Sequence, residues 1–132
     1  MGITQAVANS FKTQVLTATH NFTATTGNTF KIALFTNSAT LSKATTVYDS
    51  TDNEVTGTGY TAGGNTLTSV TPALSTDTAC CDFADSSWTT ATITARGALI
   101  YNDSASDKAV VVLDFGGDKT STAGTFTIQF PA

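Results

Sequence analysis

The chain reads as all-β: an antiparallel β-sandwich, jelly-roll-like, with one amphipathic helix at its N-terminus. Three observations predict this. Apolar and polar residues alternate with period two through residues 109–115 and 125–130. β-branched residues, threonine above all, crowd these runs, and Gly, Asn, Asp and Ser separate them. The stretch before residue 18 has helical spacing instead, with Ile3, Val7, Phe11 and Val15 at every fourth position. A length of 132 residues implies one domain, residues 1–132, able to bury a real core without staples.

The helix is expected over residues 4–18. Thr4 is its candidate N-cap, and the threonine-rich residues 17–26 end it, because threonine is a poor helix former. Its apolar face is expected to dock on the sheet or on a neighbouring subunit. Residues 29–36, TFKIALFT, form the first strand, with Phe30, Ile32 and Leu34 on one face and Ala33 and Phe35 on the other. Both faces read as covered.

Residues 37–64 hold scattered apolar residues among Thr, Asp and Gly, and the run GTGYTAGG at 57–64 is not regular structure. A loop this long in a small domain is usually functional. It is expected to be a partner contact surface carrying Val47, Tyr48, Val55 and Tyr60.

Residues 65–132 read as the main antiparallel sheet. Weak strands at 65–70 and 77–84 join around Pro72. The next run, 88–101, places Ala91, Ile93 and Ala95 on one side and Trp88, Thr90, Thr92, Thr94 and Arg96 on the other. Gly97 interrupts it, as a bulge or a close backbone approach. Residues 110–113 are apolar on both faces and are expected centrally. Phe126, Ile128 and Phe130 close the sheet as a separate run.

Composition excludes some functions. Charged residues make up 12% of the chain, about half the usual ~25%, so the exposed faces are neutral and rich in hydroxyls. The net charge is −4, and the six basic residues form no patch. No nucleic-acid partner is expected, because phosphate contacts need a basic surface. No apolar run approaches the roughly 18 residues of a membrane span, so no membrane partner is expected either. The start is not a signal peptide, and Cys80 and Cys81 are adjacent, which provides no disulfide framework. Together these features predict assembly in a reducing cytoplasm.

The chemistry-bearing residues are few. His20 is the lone histidine and is expected to face solvent, with no catalytic constellation marking it. Asp49, Asp52 and Glu54 lack the spacing of a calcium loop and read as a solvated acidic loop. Cys81 shares a face with Ala79 and Phe83 and is expected to be buried as a small hydrophobe. Trp88 faces a threonine row and is either an interface residue or a core tryptophan at a sheet edge. No catalytic residue, cofactor or metal ligand is expected, and the chain is not read as an enzyme.

The segments TFKIALFT, NEVTGTGYTAGG, WTTATITARGALIYND and KAVVVLDFGGDKTSTAGTFTIQFP, in that order after a helical start, resemble a family of small β-rich virion structural proteins of tailed bacteriophages. The family is similar in turn to capsid decoration, or cement, proteins. The resemblance implies a virion location at the capsid surface, the major capsid protein as partner, and self-association as a homodimer or homotrimer. It also leaves open a tail, neck or fibre component with a host-recognition or adaptor role. The resemblance further implies relatives that continue past this point with a short apolar segment, whereas this sequence stops at Pro131-Ala132.

Overall fold

A computed structural model describes residues 2–130; Met1, Pro131 and Ala132 lie outside the description, as does any strand beyond them. The elements run β1 (Gly2–Ile3), β2 (Ala6–Val7), α1 (Asn9–Leu16), β3 (Phe30–Phe35), β4 (Thr40–Leu41), β5 (Asn65–Thr66), β6 (Ser69–Ser75), β7 (Thr78–Phe83), β8 (Ser86–Asn102), a short 3-10 turn (Asp103–Ala105) and β9 (Lys108–Ile128). The described residues are all-β with a single α-helix, as the alternation predicts. One sheet has five strands in the order β2-β9-β8-β3-β5, and β1-β4 and β6-β7 form separate two-stranded ribbons. Every pairing is antiparallel except β1 with β4. No second large sheet is present among the described residues, and jelly-roll connectivity is not seen there.

The five-stranded sheet carries a core on each face. On β3, Phe30, Ile32 and Leu34 enter one core, while Ala33 and Phe35 enter the other. On β8, Ala98 and Ile100 divide from Leu99 and Tyr101 in the same way. Successive strand side chains point to opposite faces, so a strand apolar at every position requires cover on both sides. Phe30, Ile32, Leu34 and Phe35 expose nothing, and each such burial stabilises by about 1.5–3 kcal/mol. The two-faced reading of residues 29–36 therefore holds, as does the central place of 110–113, since β9 lies between β8 and β2.

The N-terminal expectation is corrected. Ala6 and Val7 pair with Val112 and Val111 as an edge strand, so the helix is shorter than residues 4–18 and starts at Asn9. Ala8, not Thr4, occupies the cap position, with no side-chain hydrogen bond. An apolar sheet edge with free backbone groups outcompetes a weak helical preference. No residue of α1 is buried. Phe11 packs against both cores, while Leu16 is 87% exposed.

β8 and β9 form one long hairpin, and their bulges set its shape. Residues 109–115 and 125–130 were expected as separate runs. Instead Phe115, Gly116, Gly117 and Asp118 bulge out of β9 opposite Arg96, between the pairs Gly97↔Asp114 and Ala95↔Lys119. Arg96 Nε donates to Asp114 Oδ1 at 2.9 Å beside that bulge. Gly97 is both bulge and close approach: a Cβ there would lie 2.5 Å from the Leu113 carbonyl oxygen and 2.9 Å from Ile3. A second irregularity falls between Trp88 and Ala91, where Thr90 takes φ 50°.

β6 and β7 were expected as strands of the main sheet joined around Pro72. They pair only with each other, Pro72 sits in a bulge of β6, and the turn is at Thr76-Asp77. Proline is tolerated there because a bulge needs no ladder donor.

Candidate functional site

The long segment 37–64 folds back onto the sheet. Its β4 pairs with β1, and Val55 N–H donates to the Leu34 carbonyl at 2.9 Å. Val55 is buried in one core, and Tyr48 packs against the other, stacking on Tyr101 with ring centroids 4.5 Å apart. Of the five expected contact residues, Val47 alone remains an exposed apolar side chain. The expectation of an outward contact loop is corrected for Val55 and Tyr60, which are bound into the protein body, and of the two readings of Trp88 the core one holds.

Glu54 holds this segment down. It is 9% exposed, and its carboxylate accepts three hydrogen bonds. Tyr48 Oη donates to Oε2 at 2.6 Å; Tyr60 Oη donates to Oε1 at 2.6 Å, and so does Gly63 N–H at 2.8 Å. The Tyr60 oxygen in turn accepts from Leu34 N–H at 2.9 Å, and Tyr101 Oη donates to the Gly63 carbonyl at 2.7 Å. Burial, reinforced by the bond to Glu54, pushes the phenols of Tyr48 and Tyr60 well above 10. They therefore stay donors across the physiological range. This cluster ties loop to sheet, so Tyr60→Ala tests the fold and not a contact.

The acidic loop is resolved into three separate roles. Asp49 accepts from Thr51 N–H and Oγ1 within its own turn, and both Asp52 oxygens accept from Thr40 N–H. Glu54 faces inward. Asp49 and Asp52 fit the expected solvated loop; Glu54 does not. No group of three or more His, Cys, Asp or Glu side chains stands together as a metal site among the described residues.

Trp88 is a core residue. It is 4% exposed and lies edge-on to Phe126 at 6.1 Å. Simple alternation puts it opposite Ala91, Ile93 and Ala95. The extra residue at Thr89-Thr90 shifts the phase by one, and Trp88 joins them in the same core.

His20 does not face open solvent, which corrects that expectation. Its Nδ1 accepts from Asn102 Nδ2 at 2.9 Å and its Nε2 donates to Gln14 Oε1 at 2.9 Å, the assignment a neutral ring permits. Phe11 lies 4.8 Å from it, centroid to centroid, with Phe22 and Phe30 beyond. Burial, helped by the positive charge of Lys108, lowers its pKa below 6.5. The unfolded chain then binds the proton more readily than the folded one, so stability is full above about pH 6.5 and falls as pH drops through that value. The melting temperature should fall between pH 7.5 and 5.5, and His20→Gln should flatten that slope. An identical slope in the variant would refute the assignment.

Two surfaces remain turned outward. The first is the β6-β7 hairpin, an arm exposed along most of its length. Register places Leu74 opposite Ala79, so Leu74, Ala79 and Cys81 share the face that ends at buried Phe83. Leu74 is 72% exposed. Both cysteines are free and exposed, which corrects the expected burial of Cys81: among the described residues β6 and β7 pair only with each other. The second surface is the outer side of β9. Residues 107–112 are flanked there by the segment around Val47 and by β2. From Lys119 to Ile128 the strand ladder runs only to β8. A shallow groove of about 570 Å³ follows this bare edge, with Leu113, Phe115, Phe126 and Ile128 among its walls.

The pattern signals used for the sequence missed both surfaces. Alternation in 69–83 marks strands but not whether anything packs on them. No helix among the described residues is long and apolar enough to cross a membrane. Compared with protein-family models, curated proteins and solved structures, the chain matches none.

Proposed function

We propose that the chain is a structural component of a tailed-bacteriophage virion, a decoration or cement protein at the capsid surface. It binds the major capsid protein, and further copies of itself, through β surfaces. It acts by adhesion and transforms no substrate. The reading draws its virion context from the resemblance carried by segments 29–36, 53–64, 88–103 and 108–131. The observation that carries its adhesive character is the pair of outward surfaces on a two-core body: an arm with an uncovered apolar face and a long bare strand edge. Exposed edges of this kind are templates for pairing with another chain. The sparse charge suits close contact with neighbours, because few ions must be desolvated.

Quantitative mass spectrometry of purified particles tests the proposal. The expected result is a copy number on the scale of the major capsid protein, with density on the outer shell. A handful of copies confined to the tail or neck would reject the capsid assignment and favour the adaptor or fibre reading.

A further inference from the structure

We propose that the arm of one copy lies along the bare edge of β9 in a second copy, so that the chain self-associates by exchanging arms. The inference rests on the adhesive reading above and names its self-contact.

Three complementarities support a second copy as the occupant. The first is hydrogen bonding. β7 pairs with β6 on one side only, and β9 from Lys119 to Ile128 pairs with β8 on one side only. Each edge therefore presents the unpaired donors and acceptors that the other needs. The second is apolar. Leu74, Ala79 and Cys81 leave one face of the arm uncovered, and the groove along β9 offers the partly exposed Leu113 and Phe115, backed by the buried Phe126 and Ile128. The third is charge. The arm's charged residues are Asp77, at its tip, and Asp82. The groove holds Asp114, already paired with Arg96, and Lys119, which makes no salt bridge among the described residues. An acidic tip thus meets a free cation.

Reach favours a neighbour over the arm's own body. A strand of 7 residues carries the tip roughly 20 Å from its base at ~3.3 Å per residue. An isolated two-stranded hairpin is marginal in water, so docking would stabilise the arm as well as the pair. Reciprocal exchange buries the same two patches on both partners, the arrangement a two-fold dimer requires.

Sedimentation velocity on the isolated protein over a range of concentrations tests this. The wild type is expected to associate. Leu74→Asp should weaken association about tenfold to a hundredfold, the worth of one buried leucine. Lys119→Glu should weaken it about two- to fivefold, as for an exposed ion pair, and adding Asp77→Lys should restore it. Leu16→Asp, on a still more exposed leucine of α1, should change nothing. All these sites are exposed, so melting temperatures should match the wild type. A wild type that is monomeric at every concentration, or one whose association ignores Leu74→Asp, overturns the inference. Loss of capsid occupancy in Leu74→Asp with a monomeric wild type would assign the arm to the capsid protein, also against it. Particle copy number is measured separately, so failure here leaves the virion reading standing.

Discussion

Gly64→Ala is expected to destabilise the protein by on the order of 4 kcal/mol or more, enough to remove most of a typical domain's margin. Gly64 has φ +76°, a region that L side chains avoid. A Cβ there would sit 1.8 Å from the Ile32 carbonyl oxygen and 2.6 Å from its carbon. Both are backbone atoms of β3, the strand with both faces buried, so neither can move aside without disturbing two cores at once. Gly116→Ala is the control. Gly116 also has positive φ, +80°, but nothing lies within 4 Å of the added carbon. It should cost only the left-handed strain, about 1–2 kcal/mol. Urea titrations of both variants measure the difference. Equal midpoints would show that close approach at Gly64 does not matter.

Glu54→Ala is expected to cost about 3–5 kcal/mol, because it strips the acceptor from three donors in a nearly water-free site. Tyr48 Oη, Tyr60 Oη and Gly63 N–H all lose their partner. Tyr60→Phe should cost less, about 1–3 kcal/mol, since it removes one donor and leaves Leu34 N–H without its acceptor. Tyr48→Phe should cost least. Its ring stays stacked on Tyr101, and only the hydroxyl bond is lost. The order Glu54→Ala, Tyr60→Phe, Tyr48→Phe should appear in thermal melts, with the first lowering the melting temperature by roughly 10 °C or more. A Glu54→Ala variant as stable as the wild type would mean that water replaces the carboxylate, and that the segment is held by Val55 and its neighbours alone.

The same cluster shows why part of the site escaped pattern reading. Tyr48 and Tyr60 each lie six residues from Glu54, but no helix or strand period links positions across an irregular loop. Tyrosines in a polar stretch look like contact residues. They are anchors here because the loop turns inward and the carboxylate between them is buried. Trp88 was legible only as far as the bulge: one extra residue at Thr89-Thr90 reverses the inward set, and β-bulges leave little trace in an alternating sequence. The Gly116-Gly117 pair signals a break equally well as a turn or as a bulge, and long pairing with β8 makes it a bulge.

The sequence by itself determined the all-β class, the two-faced character of residues 30–35, the central place of 110–113 and the irregularity at Gly97. Each of these follows from local alternation or from a missing side chain, which are readable one residue at a time. Only the tertiary structure decided that residues 6–7 are strand, that Glu54 faces inward, that His20 sits in an amide and aromatic setting, and that residues 69–83 stand out as an arm. Those outcomes depend on which partner reaches a segment first with hydrogen bonds and apolar cover, and that partner lies far away in the chain.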